Sequence, residues 1–320
     1  MTHRLVALVV TRDRLDQLQK TLAALLVSDA DVLGEVIVVD NQSGDGTADW
    51  LAAHKDIRVT VLTQGANLGG AGGFEVGLAY VRDHTDADWV VMMDDDGRPA
   101  AGTLETFQNT NRATREAWVT AVRYPSGGIC EMNRPWRNPF WSFGGFLKGI
   151  AGGRGGFHID DSAYVAPAPT DIDGGSFVGL FWSRRAIEMA GLPQGRLFLY
   201  GDDVLYSLAL RRAGGRVTFD PDLHFQHDCE TFGEDDGTIQ PLWKVYYMRR
   251  NQLMVYRSAA GLLFYPVAAA FALRWWMQAK RYAGQGAAYR ALLKRAIKDG
   301  FAQRTDMTFD DVQKLAQPDR

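Results

Sequence analysis

The chain has 320 residues, with 35 basic against 38 acidic side chains and two cysteines. That length buries one large core or two coupled ones, and the near-balanced charge leaves no whole-protein electrostatic footprint for nucleic acid. Two cysteines make no disulfide framework, which fits a reducing cytoplasm, and the N-terminus runs from Arg4 straight into a strand too short for a signal-peptide apolar region.

Strand-like and helix-like runs alternate from the start. A strand over Leu5 to Val10 leads to a helix from Leu15 to about Leu26, a strand over Glu35 to Val39 and a helix from about Thr47. A strand over Val59 to Leu62, a helix over Gly72 to Val81 and a strand over Trp89 to Met93 follow. This is the pattern of an α/β fold with a mainly parallel sheet, in which ligands bind beyond the carboxyl ends of the strands. Thr11, Asp40 and the triplet Asp94-Asp95-Asp96 stand at those ends.

From Tyr124 to Pro169 the sequence turns to glycine, proline and aromatic residues, Trp136, Trp141 and Phe143 among them. Few apolar positions recur there, so the stretch is expected to be mobile, as a lid or a passive surface loop. Its aromatic rings either stack on sugars or pack inside. Regular structure resumes near Asp173, and helical patterning dominates from about Pro241. No segment reaches the ~18 uncharged apolar residues of a membrane span. Ala259 to Leu273 comes nearest, bounded by Arg257 and Arg274 and followed by Trp275, Trp276, Lys280 and Arg281. It reads as a helix in a membrane interface beside anionic lipid, or as a buried C-terminal core helix.

The aspartate triplet ends an apolar strand, and oxygen ligands delivered to a sheet edge suit Mg²⁺ or Mn²⁺ held against a diphosphate. Alternation along an extended segment would point Asp94 and Asp96 one way and Asp95 the other. Asp40 closes a buried strand, where a carboxylate accepts from a ribose hydroxyl or a base N–H. A dinucleotide-binding reading fails at the first turn, because Thr11-Arg12-Asp13-Arg14 contains no glycine. The glycines come later, in Asn67-Leu68-Gly69-Gly70-Ala71-Gly72-Gly73, before a helix whose N-terminus would attract an anion. Asp202 and Asp203 open another helix. A cap explains one of them, and general-base catalysis needs such a carboxylate beside an acceptor hydroxyl. His224 and His227 end a further strand-like segment, where an imidazole would complete a carboxylate metal site.

In this order the segments resemble the inverting glycosyltransferase family 2, of the GT-A type, over roughly residues 3 to 257. The likeness rests on Val10 to Arg14, Val38 to Ser43, Asn67 to Gly70, Asp94 to Asp96, Gly201 to Asp203 and Pro221 to His227. It implies an α/β nucleotide-diphospho-sugar transferase fold with C-terminal helices. Residues 1–123 would form the nucleotide-sugar-binding half, 124–240 the acceptor-binding and catalytic half, and 241–320 a helical region.

It further implies that Asp40 takes the uracil with Thr11 nearby, and that Arg14, Asn67, Gly69, Gly70, Asp94 and Asp95 border the donor. Asp94, Asp96 and His227 would ligate Mn²⁺ or Mg²⁺, His224 falling outside the pattern. Asp203 would be the catalytic base and Asp202 an acceptor contact or alternate base. Asp13 departs from the family, where many relatives carry asparagine. The glycine run and the all-aspartate triplet look most like bacterial galactofuranosyltransferases, so the expected donor is UDP-galactofuranose, with dTDP-rhamnose second. The acceptor would be a cell-surface glycan or lipid-linked, reached from the cytoplasm with peripheral membrane contact through the C-terminal region. The rival reading is a non-catalytic sugar-nucleotide or glycan binder on the same fold, which loss of an acidic pair would mark.

Overall fold

The computed structural model describes residues 3–229, 238–282 and 284–317, apart from the side chains at 150 and 154. Every residue of β1 (Leu5–Thr11) is buried, as expected of a central strand covered on both faces. Its side chains alternate between two cores. Val6, Leu8 and Val10 face one, and Leu5, Ala7 and Val9 face the other together with Leu18, Leu22 and Leu25 of α1 (Leu15–Leu26).

The chain continues through β2 (Glu35–Asp40), α2 (Thr47–Ala53), β3 (Val59–Thr63), α3 (Gly69–His84), β4 (Trp89–Asp94), β5 (Gly97–Pro99), α4 (Thr103–Gln108) and β6 (Ala117–Arg123). Next come α5 (Phe143–Gly152), β7 (Thr170–Ile172), β8 (Leu180–Ser183), α6 (Arg184–Ala190), α7 (Asp202–Arg212) and β9 (Val217–His227). Helices α8 (Lys244–Ala260), α9 (Phe264–Gln278), α10 (Gly286–Ala302) and α11 (Phe309–Ala316) close the chain.

One nine-stranded sheet runs in the order β3-β2-β1-β4-β8-β6-β9-β5, with β7 also paired to β9. Strands β1 to β4 are parallel, and β8 lies antiparallel between β4 and β6. Helix α3 lies close against the sheet because it presents glycines. A Cβ on Gly73 would fall 2.5 Å from Val10 Cγ1, and one on Gly77 2.2 Å from Leu8 Cδ1. Strand β9 keeps register with β6 up to Asp220, slips at Pro221, and resumes at His224; proline cannot donate to the ladder. The Arg112–Asp220 ion pair is buried beside that slip. A third core joins the C-terminal helices through Tyr246, Leu253, Trp275, Tyr289 and Leu292.

Two expectations need correction here. The stretch from Tyr124 to Pro169 contains α5 as well as several three-ten turns. Ser142 caps α5 by accepting the Gly145 amide at 3.0 Å, a local signal that outweighs the glycines. Helix α3 also starts at Gly69, three residues before the expected Gly72.

Candidate active site

The parallel register aligns Thr11 with Asp40, Val10 with Asp94 and Asp40 with Thr63, so these residues share the carboxyl edge of the sheet. His227 reaches the same region from β9, paired with Gly97. Alternation puts Phe225 and His227 inward and leaves His224 exposed. The strand-alternation argument for the triplet stops at Asp94. Asp95 and Asp96 form a turn into β5, so their directions are set by partners. Thr11 Oγ1 donates to Asp95 Oδ2 at 2.8 Å, and Asp96 pairs with Arg14 and lies 3.1 Å from His227 Nε2.

These carboxyls are crowded. Burial, with Asp96 and Asp95 adding to it, pushes Asp94 up to about 7, and burial raises Asp95 to about 6. Burial acts on Asp96 too, but His227 and Arg14 outweigh it and hold that carboxyl below the usual range. Burial would lower His227, yet the Asp96 hydrogen bond, Cys130 and the carboxylate charges raise it to about 10. Of the expected ligands Asp96 and His227 are in contact, while the tight three-donor grouping among the described residues is Cys130, His227 and Cys229 and does not include Asp94 or Asp96; carboxylate oxygens are the donors that suit a hard divalent cation.

Asp40 is fully buried, and its Oδ1 accepts the Ser43 amide at 3.0 Å. Its Oδ2 is equally buried and has no hydrogen-bond partner among the described residues, an acceptor that a ligand N–H would satisfy. Asn41 ties this strand end to the glycine run: its Nδ2 donates to Gly69 O at 2.8 Å and its Oδ1 accepts the Leu68 amide at 2.9 Å. Asn67 Oδ1 accepts the Gly69 amide at 2.9 Å. The first turn of α3 is not a free anion cradle, because the Ala71 amide donates to Phe198 O at 3.2 Å. Gly69, at φ +72°, lets that carbonyl approach, since a Cβ there would meet it at 2.1 Å.

Asp202 and Asp203 open α7 after a contorted turn, with φ +69° at both Phe198 and Tyr200. Burial, then Asp203 and Asp94, raises Asp202 to about 8; burial raises Asp203 to about 6. The pair faces two ways. Asp202 feels the field of Asp94, whereas Asp203 lines a cavity of about 760 Å³. Trp136 and Tyr200 line it too, as do Arg249 of α8 and Val267, Phe271 and Arg274 of α9. Trp141 and Phe143 are exposed and are not packed inside.

The chain matches the Glycosyl transferase family 2 profile over residues 7–163. It is 31% identical over 233 residues to galactofuranosyltransferase GlfT1 of Mycobacterium tuberculosis (strain ATCC 25618 / H37Rv), covering 72% of this chain and 71% of that protein. The chain belongs to glycosyltransferase family 2. GlfT1 of Mycolicibacterium smegmatis is likewise 31% identical over 236 residues, 72% of this chain and 74% of that one.

Solved structures share the GT-A-type fold of this glycosyltransferase. GalNAc-T7 with UDP, GalNAc and Mn²⁺ superposes with a TM-score of 0.61 at 13% identity, over 94% of this chain and 55% of that one. The mannosyltransferase PcManGT from Pyrobaculum calidifontis, in complex with GDP-Man and Mn²⁺, gives 0.53 at 17% identity over 95% and 88%.

Sequence patterning assigns no role to three side chains of this glycosyltransferase. Asn133 is buried, and its Oδ1 lies 2.7 Å from His227 Nδ1 while its Nδ2 donates to Ser176 Oγ at 2.7 Å. With Nδ1 thereby the donor, Nε2 is turned toward Asp96, to which the charged ring donates. Arg250 and Asn251 of α8 hold the turn before Asp202. Arg250 Nη2 donates to Leu197 O at 2.7 Å, and Asn251 Nδ2 reaches the carbonyls of Leu197, Leu199 and Tyr200 at 3.1, 2.7 and 2.9 Å. Consecutive polar residues at fully buried helix positions were their signal; Asn133 had none.

Proposed function

We propose that the protein is a metal-dependent, inverting galactofuranosyltransferase that transfers galactofuranose from UDP-galactofuranose to a lipid-linked glycan acceptor at the cytoplasmic face of a membrane. The observation that carries this reading is that Asp203 lines the large apolar cavity, with Asp202 adjacent to it at the opening of α7. Asp203 therefore meets an acceptor hydroxyl, with Asp202 beside it as an acceptor contact or alternate base. The similarity to GlfT1 supports the donor, and the Mn²⁺ beside nucleotides in GalNAc-T7 and PcManGT supports the metal.

In this reading the unpartnered Oδ2 of Asp40 accepts the uracil N–H, and Thr11, Arg14, Asn67, Gly69, Gly70 and Asp95 border the donor. Asp94, Asp96 and Nε2 of His227 hold Mn²⁺ or Mg²⁺, which when bound neutralises charge on the departing diphosphate. Asp203 takes the proton of the acceptor hydroxyl as its oxygen bonds the anomeric carbon opposite the breaking C–O bond, and configuration inverts. Because burial raises Asp203 to about 6, transfer rises with pH through that value as the base loses its proton.

Helix α9 supports the membrane component. Val267 and Phe271 line the cavity, while Tyr265, Leu273 and Trp276 form an exposed apolar stripe at helical spacing on its other side, next to Leu262 of the turn that precedes it. Leu262 is 95% exposed and Leu273 62%. An apolar face beside exposed Lys280 and Arg281 suits an anionic lipid surface.

The test is transfer from UDP-galactofuranose to a lipid-linked sugar, with and without Mn²⁺, beside Asp203→Asn. The expected result is Mn²⁺-dependent transfer, lost in Asp203→Asn while UDP binding persists. Turnover of dTDP-rhamnose in its place overturns the donor, and full transfer by Asp203→Asn overturns the base.

A further inference from the structure

Cys130 follows β6, and Cys229 stands two residues beyond His227 at the end of β9. Chain order separates them, yet the donor atoms of Cys130, His227 and Cys229 all lie within 4.8 Å of one another, the tight three-ligand grouping found among the described residues. Cys130 Sγ is 3.8 Å from His227 Nδ1. A tetrahedral ion with sulfur at about 2.3 Å and nitrogen at about 2.0 Å holds such a pair roughly 3.5 Å apart, so a small closure of the cluster completes the geometry. Cys130 is fully buried, whereas Cys229 is partly exposed and leaves an entry path.

We propose that Cys130, Cys229 and Nδ1 of His227 form a second cation site, for a thiophilic divalent ion of the zinc class. Two sulfurs and an imidazole nitrogen exclude Mg²⁺ and Mn²⁺ by softness as firmly as the neighbouring carboxylates favour them. Asn133 Oδ1, 2.9 Å from Cys130 Sγ and 2.7 Å from Nδ1, or a water takes the fourth position. On binding, both thiols release their protons to solvent, the sulfurs each give an electron pair to the ion, and the Nδ1 proton of the imidazolium shifts to solvent while Nε2 keeps its own.

That last shift has a consequence resting on the function proposed above. A neutral imidazole has one lone pair. With Nδ1 ligated, Nε2 carries the proton and donates to Asp96, 3.1 Å away, in place of ligating an ion beside it. The two ions therefore compete through opposite faces of one ring, and a thiophilic cation switches off binding of the hard one.

The test titrates Cd²⁺ into the full, reduced, metal-free chain and follows thiolate-to-cadmium charge-transfer absorbance in the ultraviolet. One Cd²⁺ per chain is expected. The band should vanish in Cys229→Ser, with affinity falling beyond the ~10–100-fold that loss of an outer-shell partner costs, and should persist in Asp96→Asn. Cys130→Ser repeats the measurement from the buried side, with circular dichroism confirming the fold. A band unchanged in Cys229→Ser, or none in the wild type, overturns the site. A second arm measures Mn²⁺-dependent UDP binding with Zn²⁺ present: Zn²⁺ weakens it in the wild type and not in Cys229→Ser. Equal inhibition of both refutes the antagonism. Because the cadmium readout needs no transfer activity, failure of the donor or acceptor assignment leaves it intact.

Discussion

Replacing Asn251 by alanine removes the side chain that holds the turn before the acidic pair. Asn251 is fully buried and donates to Leu199 O and Tyr200 O at 2.7 and 2.9 Å. The Leu197 carbonyl keeps Arg250, while the half-buried Leu199 carbonyl loses this donor at about 1–3 kcal/mol and that of the exposed Tyr200 regains water at less cost. The same turn carries positive φ at Phe198 and Tyr200, conformations that persist only where surroundings over-determine them. Relaxation recovers part of the cost, which leaves about 1–3 kcal/mol lost in urea unfolding.

The turn's shift displaces Asp203, so transfer should fall at least ~tenfold, equivalent to about 1.4 kcal/mol in the barrier. UDP affinity should stay within about twofold, because Asp40 stands on β2 and is held by Ser43. Urea denaturation, UDP titration and transfer rates on one preparation separate these effects. Unimpaired transfer at a stability loss under about 1 kcal/mol would refute the reasoning, as would UDP affinity falling in step with the rate.

Asp40→Ala removes a buried charged acceptor. UDP affinity measured by calorimetry should fall ~10–150-fold, from about 1.5–3 kcal/mol for a hydrogen bond to a charged group. Asp95, Asp203, Asp94 and Asp202 have carboxyls raised from 3.8 to between about 6 and about 8, and His227 is raised to about 10. The folded chain thus retains protons that the unfolded chain has lost. Without a divalent ion, Tm should fall as pH rises through about 6 to about 8, and Mn²⁺ should restore it more at the upper end of that window. A Tm that climbs over this range refutes the burial argument. Leu273→Ser with Trp276→Ser removes two large apolar groups from the exposed face of α9, each worth about 1.5–3 kcal/mol if buried. Sedimentation with anionic vesicles should show at least ~tenfold weaker association, and unchanged association would clear α9 of a membrane role.

Local patterning was enough for the alternating α/β order, the place of Thr11, Asp40 and Asp94 at strand ends, and the resemblance to family 2. Apolar runs, helical spacing and turn residues are local signals, and each of those residues ends its own strand. Tertiary structure alone decided matters that depend on distant segments meeting. Asp95 takes its direction from Thr11 and Asp96 from Arg14 and His227, because the strand ends at Asp94. The glycine run serves close packing against Leu8, Val10 and Phe198 as much as any ligand. Asp202 and Asp203 are adjacent in sequence, and only the cavity beside α8 and α9 tells them apart. Asn133, Cys130 and Cys229 acquire meaning when β9 slips at Pro221 and carries His227 in beside β5. No local periodicity encodes that slip, because it is settled by pairing between strands about a hundred residues apart, where burial and hydrogen bonding across the sheet outweigh short-range preference.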